Sequence, residues 1–170
     1  DLSPTLSKNG DWPIMTSNVW ELLDPKSTEG LMAQLENMLT SLGSSIPEPQ
    51  SGSVFDESNG IIHIHSKAKI GPGVFVEGPT YIGENAEIRQ GAYVRKGSWI
   101  CAHSVIGHCT EIKHSLLLPN AKAPHFNYVG DSILGTGVNL GAGCKLSNLR
   151  NDGRNILIRD GESGELLEDS

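Results

Sequence analysis

A branched aliphatic residue recurs every six positions along the middle of this chain, and this period constrains the fold more than any other feature. The members of the series are Ile64, Ile70, Val76, Ile82, Ile88, Val94, Ile100, Ile106, Ile112 and Leu118. A mostly small or β-branched residue follows four positions after each of the first nine, as at Ala86, Ala92 and Ser98. A period of six fits neither an α-helix nor an alternating strand, so the chain must coil.

The six-residue units predict an all-β solenoid. Each unit reads as a short strand and a turn, with the aliphatic residue in a narrow interior and the small residue in the corner. Three units make one triangular coil of roughly 18 residues, and successive coils stack at the strand spacing of roughly 4.8 Å. One coil buries little apolar surface, so the stack is stable only as a set. A β-sandwich would need turn signals every 8–12 residues or so and longer alternating strands, and the sequence shows neither.

The composition agrees with a thin aliphatic core and limits the possible partners. Aromatic residues make up 5% of the chain and glycines number 20, which suits tight turns. The net charge of −7 argues against nucleic acid and an anionic membrane as partners. We find no apolar stretch of membrane-spanning length and no secretory signal. Three cysteines, Cys101, Cys109 and Cys144, lack paired-ligand spacing and predict a reduced, cytoplasmic compartment.

The two ends of the chain depart from the repeat. We expect residues 1–60 to form a lead-in, a helical arm and a linker, residues 61–149 to form the β-helix, and residues 150–170 to form a C-terminal hairpin. Within the arm, a short helix is predicted near 19–23. A longer one is predicted over about 28–42, with an apolar face that includes Leu42 and with Gly43 as its stop. The open end of a solenoid is normally covered, so we expect either that this hairpin caps the last coil or that the chain is truncated.

The repeat breaks once. Ten residues separate Leu118 from Tyr128 where six are expected, which predicts a four-residue loop inserted within 119–128. The period then resumes at Tyr128, Leu134, Leu140 and Leu146. Loops inserted into solenoids are often functional. This one carries His125, whose imidazole can accept a proton near neutral pH; a plain surface histidine is the alternative.

Arg95 and Lys113 are separated by 18 residues, one coil of the predicted solenoid. They should therefore lie on the same face, one above the other. Such a pair can clamp a phosphate, because arginine offers a planar fork of donors and lysine a point charge. Two solvated surface charges are the alternative interpretation.

The segment 124–143, with the sequence PHFNYVGDSILGTGVNLGAG, closely resembles the left-handed β-helix half of bifunctional sugar-1-phosphate nucleotidyltransferases. Residues 147–153, SNLRNDG, resemble the archaeal-type branch of that family, and residues 19–23, VWELL, resemble the arm that follows its nucleotidyltransferase domain. The resemblance spans roughly residues 18–167. It implies left-handed coiling, although parallel crossovers are ordinarily right-handed. It also implies a homotrimer that transfers an acetyl group from acetyl-CoA to a hexosamine-1-phosphate, with no metal in this half.

The resemblance also implies roles for individual residues. His125 matches the catalytic base, which takes a proton from the sugar's 2-amine, and Asn148 matches the asparagine beside that amine. The residues that match positions binding the hexosamine-1-phosphate are Arg95, Lys113, Tyr128, Asn139 and Arg154. Leu149 stands where the bacterial pattern has tyrosine, as the archaeal-type branch tolerates. The further coils of the acetyl-CoA site and the nucleotidyltransferase domain do not occur in this sequence, so we expect a fragment of a longer enzyme.

Two other functions fit parts of the sequence. His103 and His108 have the H-x4-H spacing of the γ-class carbonic anhydrases, and His63 or His65 lies about two coils earlier, which would allow a zinc site with an open position. The Gln-Asp signature of that family is not found. A solenoid of this kind can alternatively serve as a non-catalytic module that forms trimers and binds a sugar phosphate.

Overall fold

The computed structural model describes residues 13, 19–49, 51–147, 149–154 and 157–169. A 3-10 helix, Glu21–Leu23, and one α-helix, α1 (Leu31–Leu42), precede the strands. In chain order the strands are β1 (Val54–Asp56), β2 (Ile62–Ile64), β3 (Lys69–Ile70), β4 (Phe75–Glu77), β5 (Thr80–Ile82), β6 (Glu87–Ile88), β7 (Tyr93–Val94), β8 (Ser98–Ile100), β9 (Val105–His108), β10 (Glu111–Lys113), β11 (Leu116–Leu117), β12 (Lys122–His125), β13 (Tyr128–Gly130), β14 (Ile133–Leu134), β15 (Lys145–Leu146), β16 (Leu157–Arg159) and β17 (Leu166–Asp169).

The first fifteen strands form three parallel sheets around one axis. Sheet I has the order β1-β4-β7-β10-β13-β15, sheet II the order β14-β11-β8-β5-β2, and sheet III the order β12-β9-β6-β3. Each neighbour within a sheet comes from the next coil, so the chain visits the three sheets in turn. The result is a left-handed parallel β-helix of about five turns, which confirms the predicted fold.

The repeated aliphatic residues fill the interior of the β-helix. Ile82 lies between Ile64 and Ile100 in sheet II, and all three side chains are buried. Most corner residues are buried as well. Their hydroxyls bond to the backbone: Thr80 Oγ1 donates to the Glu77 carbonyl at 2.6 Å. Because buried polar groups need such partners, small hydroxyl residues suit these corners.

The six-residue period ends at Ile112, where the prediction fails. Leu117 lies in the interior beside Ile100, five residues after Ile112. Leu118, predicted to face the interior, packs instead with the helical arm. The corner after Ile112 is one residue short, so from here stacked partners such as Ile100 and Leu117 are 17 residues apart rather than 18.

The four-residue loop predicted within 119–128 does not form. This segment contains β12, a regular strand that pairs in parallel with β9 and places Ala123 in the interior. In the next strand Val129 is the interior residue, and Tyr128 lies on the outer side of sheet I. The ten-residue gap therefore reflects a shift of register by one residue at Leu117, and the prediction of an inserted loop was wrong.

A second cluster of buried side chains lies on the outside of sheet II, beneath the helical arm. Its members are Leu22, Leu31, Leu35, Leu39, Tyr81, Trp99, Cys101, Leu116 and Leu118. Burial of a large apolar side chain contributes about 1.5–3 kcal/mol, so the arm is firmly attached to this face. The helix ends at Gly43, whose φ of 76° favours glycine. Leu42, in the last turn, is 49% exposed, contrary to its predicted place on the apolar face.

The segments that flank the β-helix also have regular structure. Within the predicted linker, β1 joins sheet I beside β4, and Ser45 forms a parallel bridge to His63. After β15, strands β16 and β17 form an antiparallel hairpin. Neither described helix is long and apolar enough to cross a membrane.

The close stacking of the coils gives a stability prediction. A Cβ at Gly107 would overlap the backbone of Pro124 in the next coil, so Gly107→Ala should destabilise the fold by about 3 kcal/mol, the upper range for overpacking. The matched control is Gly135→Ala, where the nearest atom to a new Cβ is Val138 Cγ2 at 3.6 Å. Urea denaturation measures both variants. Equal midpoints would contradict the register that stacks Gly107 beneath Pro124.

Candidate functional site

Arg95 and Lys113 occupy matching positions in adjacent coils of sheet I. Arg95 follows β7 directly, and its peptide N–H donates to the Ile112 carbonyl at 2.8 Å. Lys113 ends β10 and pairs with Gly130 of β13. The structure therefore places the two cations one coil apart, on the face that we call the Arg95–Lys113 face.

Each cation is already paired with a carboxylate. Arg95 Nη1 lies 2.9 Å from Glu111 Oε1, and Lys113 Nζ lies 3.5 Å from Asp131 Oδ2. The hydrogen bond that Arg95 donates to Glu111 raises the pKa of the Arg95 guanidinium above its ordinary value, so this group stays charged. Both cationic side chains are about one-third exposed, which leaves them accessible to a ligand. The sequence analysis missed both carboxylates. Glu111 was predictable, because it lies two residues before Lys113, the residue that the 18-residue spacing stacks on Arg95.

Tyr128 extends over the same face. A Cβ on Gly130 would lie 2.7 Å from Tyr128 Oη, so the phenol lies directly over this glycine. Gly130 is the register partner of Lys113, which places the Tyr128 hydroxyl in the same surface region as the lysine. Glycine at 130 leaves the space that the ring occupies.

His125 ends β12 on an exposed part of sheet III, one coil beyond His108. Its peptide N–H donates to Asn127 Oδ1 at 2.9 Å, and its carbonyl accepts the Gly143 N–H at 3.0 Å. The backbone is held on both sides while the imidazole stays open to solvent. Such a group can exchange a proton with a bound molecule.

Asn127 holds the corner between His125 and Tyr128, and the sequence analysis missed it. It is 3% exposed, and its Nδ2 donates to the Gly141 carbonyl at 2.8 Å. Its peptide N–H donates to Thr110 Oγ1 at 3.2 Å in the coil before. An asparagine at a position where the repeat has small residues was the signal for this role.

The remaining predicted residues are spread more widely. Asn139 is exposed and forms a parallel bridge to Lys122, the first residue of β12. It therefore lies one coil beyond the strand that carries His125. Arg154 lies past the last coil, with its side chain 82% exposed and its Nε 4.0 Å from Asp152 Oδ2. None of the contacts described in the structure joins Arg154 to the Arg95–Lys113 face, and Asn148 lies outside the described residues.

The histidines considered for zinc have separate backbone partners. Nδ1 of His63 bonds to the Gly43 carbonyl, and Nδ1 of His108 bonds to the Gln90 carbonyl, each at 2.9 Å. Within the described parts of the chain, no group of three or more His, Cys, Asp or Glu residues is arranged to hold a metal ion.

Comparison with known proteins places this β-helix in a family. The profile of the GMPPB C-terminal domain matches residues 76–162. The bifunctional protein GlmU of Prochlorococcus marinus is 32% identical over 154 residues, which cover 74% of this chain and 34% of that protein. The bifunctional protein GlmU of Methanococcus aeolicus is 31% identical over 110 residues, covering 54% of this chain and 27% of that protein.

A third relative is the bifunctional sugar-1-phosphate nucleotidylyltransferase/acetyltransferase of Sulfurisphaera tokodaii. It is 37% identical over 103 residues, which cover 50% of this chain and 26% of that protein. The matched segments thus span about a quarter to a third of the length of these relatives. Because the profile match covers half of the chain and most coils of its β-helix, the chain belongs to the GMPPB C-terminal domain family.

Proposed function

We propose that this β-helix is the acetyltransferase part of a sugar-nucleotide enzyme. It would transfer the acetyl group of acetyl-CoA to the 2-amine of a hexosamine-1-phosphate, a step of UDP-N-acetylhexosamine synthesis. The observation that carries the proposal is the Arg95–Lys113 face with the Tyr128 phenol beside it. His125 adds an exposed imidazole at the neighbouring corner. The name of the Sulfurisphaera tokodaii relative, which joins a nucleotidylyltransferase to an acetyltransferase, supports the same activity.

The first step is the binding of the sugar phosphate. Glu111 contacts one nitrogen of the Arg95 guanidinium at hydrogen-bond distance, so further donors of the planar fork are available. Lys113 Nζ lies 3.5 Å from its carboxylate partner, a long and therefore weak contact. A phosphate dianion between the two cations makes shorter charge-assisted hydrogen bonds. Tyr128 and Asn139 are proposed to hold the hydroxyls of the sugar, with Arg154 as a further contact.

The second step is acetyl transfer. The 2-amine attacks the thioester carbonyl carbon of acetyl-CoA, and the imidazole of His125 takes the proton that the nitrogen loses. The carbon–sulfur bond then breaks, and the coenzyme A thiolate recovers the proton from the imidazolium. His125 is suited to this exchange because its backbone is fixed while its ring is exposed. Asn148 is proposed to lie beside the amine.

Acetyl-CoA and neighbouring subunits complete the proposed site. A homotrimer would bring a second β-helix against the exposed face that carries His125, and acetyl-CoA would bind along that contact. We place the reaction in the cytoplasm. Three free cysteines, at positions 101, 109 and 144, are compatible with a reducing compartment.

The activity is tested by offering the protein acetyl-CoA with glucosamine-1-phosphate or galactosamine-1-phosphate and identifying the product by NMR. An N-acetylated hexosamine-1-phosphate from either sugar supports the proposal. Sugar-phosphate binding without any acetylated product would indicate a non-catalytic binding module instead.

The proposed binding step predicts that one substitution lowers the affinity for the sugar phosphate. Arg95→Ala should weaken hexosamine-1-phosphate binding about tenfold or more, because a charge-assisted hydrogen bond to the phosphate disappears. Arg89→Ala is the matched control, since Arg89 is similarly exposed and paired with Glu87 but lies on sheet III. Titration calorimetry gives both dissociation constants. The same affinity in the two variants would remove Arg95 from the site.

A further inference from the structure

A buried histidine, His114, lies at the corner between sheets I and II, directly after β10. Its side chain is 8% exposed. The ring packs closely against the preceding coil and the helical arm: a Cβ on Gly97 would lie 3.0 Å from His114 Cδ2 and 2.9 Å from Met32 Cε. The φ of His114 is 42°, a left-handed value that histidine, asparagine and aspartate adopt more often than other side chains do. The position of the ring is therefore fixed by its surroundings.

The Nδ1 nitrogen of His114 contacts the Asp131 carboxylate in the next coil. His114 Nδ1 lies 2.7 Å from Asp131 Oδ1. Since a carboxylate only accepts, Nδ1–H is the donor of this hydrogen bond. The other ring nitrogen, Nε2, is buried and forms no hydrogen bond with any group that the structure describes, which costs free energy. An apolar side chain would avoid this cost, so the bond to Asp131 is what a histidine offers at this position.

Asp131 also contacts Lys113, but at a longer distance. Asp131 Oδ2 lies 3.5 Å from Lys113 Nζ, whereas charge-assisted N–H···O bonds are typically about 2.7–2.9 Å long. The shorter bond, to His114, therefore sets the direction of the carboxylate. The Lys113 side chain is 32% exposed, so its ammonium can exchange this weak contact for one with an incoming anion.

Loss of the His114 hydrogen bond would change the balance between Asp131 and Lys113. The carboxylate would be free to turn toward the ammonium, the opposite charge beside it. Attraction between opposite charges rises as their distance falls, and partly buried pairs are screened less than exposed ones. A phosphate would then have to displace a closer and stronger carboxylate contact before it could bind Lys113.

We propose that His114 is a positioning residue for the sugar-phosphate site. Its Nδ1–H holds the Asp131 carboxylate away from Lys113, and the ammonium stays available to the phosphate of a hexosamine-1-phosphate. This inference rests on the proposed function, because it takes Lys113 as a ligand of that phosphate. His114 itself does not touch the sugar phosphate, and its effect passes through Asp131.

The inference is tested by titration calorimetry with glucosamine-1-phosphate and galactosamine-1-phosphate. His114→Leu keeps an apolar group in the space of the ring but has no donor for Asp131, so it should weaken binding about tenfold, the loss of one hydrogen bond to a charged group. His114→Asn is the matched control. Its amide Nδ2 takes the place of the histidine Nδ1, and asparagine tolerates the left-handed φ, so binding should return to nearly the unaltered affinity. Circular dichroism checks the fold of both variants.

Asp131→Asn gives a second measurement that does not depend on whether leucine is tolerated at position 114. It removes the negative charge that competes with phosphate for Lys113. This variant should therefore bind the sugar phosphate at least as tightly as the unaltered protein does. In the Asp131→Asn background, His114→Leu should cause no further loss of affinity, because its effect passes through the carboxylate.

Three results would overturn the inference while the proposed function stands. One is equal affinity of His114→Leu and the unaltered protein. Another is a loss in His114→Leu that persists in the Asp131→Asn background, which would show a purely structural role. The third is weaker binding by Asp131→Asn, which would show that the carboxylate assists Lys113 rather than competes for it. Failure of the proposed function differs from all three, because the unaltered protein would then bind neither sugar phosphate, and the inference would fall with it.

Discussion

His125→Ala is expected to lower the kcat of acetyl transfer by about 10²–10⁴-fold, the range that a general base contributes. The sugar phosphate should bind almost as well as before, because the cations that hold it lie in sheet I while His125 lies in sheet III. The fold should also survive. The imidazole is exposed, and the two hydrogen bonds at this position come from the backbone of His125.

The matched control for this prediction is His108→Ala. His108 lies in the same sheet one coil earlier, directly paired with His125, and is also exposed. Steady-state kinetics with both substrates, together with calorimetry for the sugar phosphate, separate the chemical step from binding. If His125→Ala kept the activity of His108→Ala, His125 could not be the base.

Ile88→Asp is expected to unfold the β-helix. Ile88 is 1% exposed and lies between Ile70 and Ile106 in the interior column of sheet III. An unpaired carboxylate there would lack both water and a hydrogen-bond partner. Uncompensated buried charges cost about 3–5 kcal/mol, which is a large part of the 5–15 kcal/mol or so that typically stabilises a domain. The coils are stable only as a stack, so unfolding of the coil that contains Ile88 should extend to the neighbouring coils.

Two variants control for the change of residue and for the change of charge. Ile88→Val keeps an apolar side chain and should cost about 0.5–1.5 kcal/mol. Lys69→Asp adds the same carboxylate in the neighbouring strand β3, at an exposed position, and should leave the fold intact. Circular dichroism and thermal unfolding compare the three proteins. A folded Ile88→Asp protein with a near-native melting temperature would contradict the interior register.

The sequence predicted the fold class because the six-residue period has no other simple explanation, but it could not locate the change of register. Leu116, Leu117 and Leu118 are consecutive, so an apolar residue is present whichever position faces inward. In the structure Leu117 faces the interior, while Leu116 and Leu118 pack beneath the arm. The two faces of this strand are both buried, so hydrophobicity alone carries no information on its phase.

The candidate site was predictable where it depended on the coil length. A separation of 18 residues places Arg95 and Lys113 in adjacent coils, and this placement does not depend on their side-chain contacts. Glu111, the carboxylate partner of Arg95, lies in the same 18-residue register. Asp131, the partner of Lys113, does not and was not predictable in this way. The bond from Lys113 to Asp131 forms across a shortened corner, and so does the contact from His114 to Asp131. Both contacts depend on the change of register, whose position cannot be located from the three consecutive leucines at 116–118.

The rate of coenzyme A release from acetyl-CoA tests the proposed function most directly. It is measured with glucosamine-1-phosphate, with galactosamine-1-phosphate and without sugar, for the unaltered protein and for His125→Ala. We expect release that requires one of the sugars and is lost in His125→Ala. Two results would contradict the assignment of acetyl transfer to this β-helix, provided that the sugar phosphate still binds the Arg95–Lys113 face. One is that no coenzyme A is released, and the other is that it is released at the same rate without sugar.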